Sequence, residues 1–124
     1  MRITIDGTLE IHQGNTLGLL LTPRSRETGE PIVPQEGDKL VFTARAGRKN
    51  YIEKTLTAAD YDEEQKGFVL IVPADEMEIP ACGYLFDCLY VFADGRRATF
   101  PEDAPRRLQV LPAISHAGGG EING

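Results

Sequence analysis

The stretch Gly83-Tyr84-Leu85-Phe86-Asp87-Cys88-Leu89-Tyr90-Val91-Phe92-Ala93-Asp94-Gly95-Arg96-Arg97-Ala98-Thr99-Phe100 decides the fold. Asp94-Gly95, flanked by β-branched and aromatic residues, is a strong short-range hairpin signal, because a type I′ turn needs positive φ at both central positions and Asp-Gly adopts it cheaply. A two-residue turn there pairs Ala93 with Arg96, Val91 with Ala98 and Leu89 with Phe100, and opposed residues share a face. One face then carries Leu85, Asp87, Leu89, Val91 and Phe100, and the other carries Tyr84, Phe86, Cys88, Tyr90 and Phe92.

A sheet covered on one side alternates cleanly between apolar and polar residues. This hairpin is apolar on both sides, so both faces are expected to want cover. One face belongs to the core. The other is shielded either by a loop or the tail, or by a second subunit. On the subunit reading, Leu85, Asp87, Leu89, Val91 and Phe100 form the interface, and Asp87 needs a hydrogen-bond or arginine partner if buried.

Working outward, Thr4 to His12 reads as one or two short strands around a turn at Asp6-Gly7. In Thr16 to Thr22 the leucines at 17, 19 and 21 share one parity, so this strand points them into a core. Arg24 to Gly37 holds two prolines, two glycines and charges of both signs, a composition that favours an irregular crossing between sheets. Lys39 to Arg45 and Tyr51 to Thr57 alternate again around the Gly47 to Asn50 turn. Ala58 to Lys66 is acidic and suits a helical turn capped by Thr57. Phe68 to Val72 reads as a buried strand, and Pro73 to Pro80 as a tight turn crossing the end of a sandwich. Arg107 to Leu111 is a last strand.

Strands at this spacing, with turn-rich connections and no long helix, predict an all-β protein: an immunoglobulin-like β-sandwich of about seven antiparallel strands over residues 1–112. Residues 113–124, with Gly118 to Gly120, are expected to form a flexible Gly-rich tail. The hairpin fits an F–G pair: Tyr84 lies two residues before Phe86, which takes the place of the buried cysteine of antibody domains, and the acidic turn before it resembles an E–F corner.

Across 124 residues, 13 basic residues stand against 19 acidic ones, for a net charge of −6. That balance opposes phosphate backbones and excludes nucleic acid as the expected partner. No apolar run approaches the ~20 residues of a membrane span, and Met1 to Thr4 opens as a strand, not as a signal peptide. Membrane insertion is not expected, and synthesis in a cytoplasm is. Cys82 and Cys88 lie too far apart along one extended segment to bridge each other, so both are expected to be buried free thiols.

Nothing in the chain has the spacing of a catalytic, cofactor or metal site. His12 and His116 lie at opposite ends without ligand spacing to any other residue. Asp60, Asp62 and Glu64 alternate as calcium ligands do, but the positions where an EF-hand needs Gly and a bidentate Glu hold Gln65 and Ile71. A solvated acidic turn is the expectation there. Tyr51, Tyr61 and Tyr90 are candidates for a sugar-binding platform, against which stands the absence of any Trp.

Four stretches carry a family resemblance. They are Gln13-Gly14-Asn15-Thr16 before the alternating leucines; Gly37-Asp38-Lys39-Leu40-Val41-Phe42-Thr43-Ala44-Arg45; Lys54-Thr55-Leu56 before the acidic turn; and Ile79-Pro80-Ala81-Cys82-Gly83-Tyr84-Leu85-Phe86-Asp87, leading to Asp94-Gly95 and Thr99. Over Leu9 to Leu111 the order of these features resembles the immunoglobulin-like N-terminal domain of phage baseplate upper proteins and related tail-fibre or prophage structural proteins. Such proteins usually continue into a fibre or receptor-binding region, of which these 124 residues show no sign. The resemblance implies a non-catalytic assembly module of a virion tail, a homo-oligomer or a partner of other phage tail proteins, and leaves a host-recognition role open. The alternative from a different class is a carbohydrate- or protein-binding sandwich of a bacterial cell.

Overall fold

The computed structural model describes residues 1–4 and 7–114. The strands among these are β1 (Arg2–Ile3), β2 (Leu9–His12), β3 (Leu17–Leu21), β4 (Lys39–Ala46), β5 (Lys49–Leu56), β6 (Tyr61–Asp62), β7 (Gly67–Val72), β8 (Gly83–Val91), β9 (Arg97–Phe100) and β10 (Arg106–Leu111). They form two sheets. The larger runs β1-β2-β10-β8-β4-β5, with β9 also on β8, and the smaller runs β3-β7-β6. The chain is an all-β sandwich, with more and shorter strands than the expected seven. One pair, β2 with β10, is parallel, not antiparallel.

Alternation explains the core. Leu40, Phe42 and Ala44 of β4, Phe68, Leu70 and Val72 of β7, and Tyr84, Phe86, Cys88 and Tyr90 of β8 turn inward and are buried between the sheets. Leu17 joins them, Leu19 and Leu21 pack partly against them, and Leu20, of opposite parity, stays exposed. Phe42 and Phe86 meet at 5.3 Å between ring centroids, and Phe68 sets its edge against Tyr90 at 6.1 Å. Thr57 caps a short 3₁₀ turn, Ala58–Asp60, in a capping box with Asp60. The long 24–37 connection crosses from β3 in the smaller sheet to β4 in the larger one.

The hairpin differs from its sequence reading in register. Val91 pairs with Arg97, Tyr90 with Ala98, Leu89 with Thr99 and Cys88 with Phe100. The loop has three residues, Ala93-Asp94-Gly95: the Gly95 amide donates to Phe92 O at 2.9 Å and the Phe92 amide to Arg96 O at 2.8 Å. Only Gly95 has positive φ, +96°, as a three-residue loop with a glycine bulge requires. The cause lies far away in sequence. Asp38 captures the Ala93 amide at 2.8 Å, the group a two-residue turn would have paired with Arg96. Gly37, at φ +93°, permits the approach, since a Cβ there would sit 3.2 Å from the Ala93 methyl.

One residue of register exchanges the faces of β9. Phe100 therefore lies on the inner side, opposite Cys88, and not on the face with Leu89; Thr99 and Arg97 take that face.

Candidate interaction surfaces

Both ends of β8 are pinned before its faces are presented. At its start the Tyr84 hydroxyl donates to Pro80 O at 2.6 Å, the hydrogen bond of a tyrosine corner. Nearby, Gln13 Nε2 donates to Ile79 O at 2.9 Å, tying the end of β2 to the same turn. At the far end Asp38 accepts from Tyr90 Oη at 2.7 Å as well as from Ala93 N, and from Gln35 N at 2.9 Å. Burial alone would raise the Asp38 carboxyl, but these hydrogen bonds outweigh it and hold the group below the usual carboxylate range, with Arg96 assisting. Burial and the Asp38 contact push the Tyr90 phenol well above its ordinary value.

Between these pins the outer face of the larger sheet forms a cross-strand ladder. Lys39 pairs with Val91 and Val91 with Arg97; Val41 pairs with Leu89 and Leu89 with Thr99; Thr43 pairs with Asp87; Arg45 pairs with Leu85 and Leu85 with Arg107. An aliphatic stripe thus runs along β8 with cations at both ends. Leu85 is 46% exposed, while Asp87, Leu89, Val91 and Val41 are half-buried. Val41, Thr43, Leu85, Asp87 and Leu89 line a groove of about 420 Å³ on this face. Among the described residues Asp87 enters no ion pair, with arginine or any other cation.

Of the predicted interface residues, Leu85, Asp87, Leu89 and Val91 are brought together on this face. Phe100 is not. It lines a separate cleft of about 470 Å³ between the sheets, with Leu21, Leu40, Phe86 and Cys88.

The smaller sheet presents a second apolar face that alternation alone conceals in a continuous apolar run. Phe68 to Val72 is buried on one side only: Val69 and Ile71 are 38% and 58% exposed, and Leu20, paired with Val69, is 45% exposed. Ile71 pairs with Gly18, which offers no side chain to cover it. Asp60 and Asp62 border Val69 and Ile71 in a shallow depression. The sequence signal was the parity of Leu20, which opposes that of its three inward-facing neighbours.

The remaining candidates have structural roles. Cys88 is buried and its thiol is pushed up to about 12, by burial first and by Asp87 second, which keeps it protonated near neutrality. Cys82 is half-buried, more accessible than the sequence suggested. Asp62 accepts from the Glu64 and Gln65 amides at 2.9 and 3.1 Å and from Gln65 Nε2 at 3.0 Å, so its carboxylate closes the β6–β7 turn. Among the described residues no three His, Cys, Asp or Glu side chains converge as a metal would require. Tyr90 is fully buried, which removes it from a sugar platform. Tyr51 and Tyr61 are half-buried and set edge-on against Tyr84 and Phe68. His12 is exposed at the end of β2; His116 and Gly118 to Gly120 lie outside the described residues. Among the described residues no helix is long and apolar enough to cross a membrane.

No protein-family model matches this chain. No curated protein sequence matches it either.

Proposed function

We propose that this chain is a non-catalytic assembly module of a phage or prophage tail, self-associating or docking another tail protein through the outer face of its larger sheet. The observation that carries the reading is the outward-facing aliphatic ladder of Val41, Leu85, Leu89 and Val91, with Leu85 exposed and the others half-buried, cations at both ends and a hydrogen-bonded pin at each end of β8. A rigid apolar patch with a charged rim has the anatomy of a protein contact. The tail assignment rests on the motif resemblance, to which the Gly37-Asp38 clamp and the Tyr84 corner lend weight as an immunoglobulin-like arrangement.

The experiment is light scattering and sedimentation over a wide protein concentration. Oligomers are expected, and Leu89→Lys is expected to weaken association while leaving the thermal midpoint close to that of the natural chain. A monomer at every concentration, or equal loss of association and folding stability in the variant, would overturn the self-assembly reading. Neighbouring tail genes would be the matching support for the phage assignment.

A further inference from the structure

We propose that the surface received by the larger sheet's outer face is the outer face of the smaller sheet on a second copy, so that copies stack head to tail. This rests on the self-assembly reading above and adds the identity of the contact. Both faces have an aliphatic centre: exposed Leu85 with half-buried Leu89 and Val91 on one, and exposed Leu20, Val69 and Ile71 on the other. Their charges are opposite. Lys39, Arg45 and Arg97 stand on the larger sheet's face, against Asp87 and Glu53, and none of these cations enters an ion pair among the described residues.

On the other side, Asp60 and Asp62 line the depression beside Val69 and Ile71, and Glu63 and Glu64 follow in the exposed turn, against Lys66 alone. These acids also lack ion pairs within the described chain.

Like-with-like stacking is disfavoured by the same layout. The larger face carries cations at both ends of its stripe, beside Val91 and beside Leu85. Two copies of that face, stacked in either direction, oppose cation to cation. The smaller face meeting itself crowds carboxylates. The mixed contact joins apolar centre to apolar centre and cation to carboxylate. Because the two faces are on opposite sides of the sandwich, each copy keeps one of each kind free after binding, and the contact propagates into a ring or a filament.

The test compares Leu89→Lys, Ile71→Lys and their equimolar mixture by sedimentation velocity, with thermal midpoints as the folding control. Each variant alone is expected to be monomeric where the natural chain assembles. The mixture is expected to give a dimer and nothing larger, since each variant keeps one intact face. Should Ile71→Lys disturb folding, Glu63→Lys with Glu64→Lys replaces it and is expected to weaken assembly about tenfold or more at low salt, less at high salt. Assembly by the smaller-face variants equal to that of the natural chain, with Leu89→Lys defective, would overturn this inference while leaving self-assembly standing. A natural chain monomeric throughout would overturn both.

Discussion

The central strands of the two sheets, β7 and β8, are apolar on both faces, yet they expose their outer residues differently. On β8, Leu89 is half-buried between Val41 and Thr99, and Val91 between Lys39 and Arg97, whose long stems flank it. On β7, Ile71 is 58% exposed, because its partner is Gly18 and β6 reaches only as far as Phe68 on the other side. Burial of an outer-face residue is therefore set by its lateral neighbours. Burial of an inner-face residue is set by the opposing sheet.

The sharpest way to break this comparison is to truncate adjacent residues of β7. Leu70→Ala removes side-chain volume from the core and should cost about 3 kcal/mol in urea denaturation. Ile71→Ala should cost less than about 0.5 kcal/mol. Comparable losses would mean that the outer face is covered in the monomer.

Next in size is the Asp38 clamp, which fixes which face of β9 looks outward. Asp38→Ala leaves the Tyr90 hydroxyl and the Ala93 amide without their acceptor and should cost about 2 kcal/mol. The folded carboxyl titrates below its unfolded value of about 3.9. Its contribution is thus complete above that pH and is lost as pH falls through the folded pKa. Asp38→Asn should flatten this acid limb of the stability curve. An unchanged acid limb would show that other carboxylates govern it.

Tyr84→Phe deletes the hydrogen bond to Pro80 O while keeping the ring, and should cost about 1 kcal/mol, with faster amide exchange in the 74–82 connection. The smallest effect is a gain. Gly18 has open space where a Cβ would stand, so Gly18→Thr should cover Ile71 and stabilise the smaller sheet by about 0.5 kcal/mol, read as a raised thermal midpoint. A lowered midpoint would show that the glycine is needed for backbone conformation.

Much of this arrangement is legible in local pattern. Period-two alternation groups Leu40, Phe42 and Ala44 on one side, which the structure buries, the Thr57 cap and acidic turn appear where composition puts them, and Tyr84 follows the acidic turn as expected. Which face of β8 turns inward is left open by a hairpin apolar on both sides, but the fold class, the grouping of β4 and β8 side chains into two faces and the inward parity of β3 follow from the order of residues alone, because side chains on a strand must alternate. The register of β9, the removal of Phe100 from the outer face and the exposure of Ile71 do not. They were decided by tertiary structure: Asp38 takes an amide that a local turn would have used, and Gly18 lies beside a residue more than fifty positions away. A hydrogen bond or a missing side chain contributed from another strand acts with the same strength as a local one, but no window of sequence contains both of its ends.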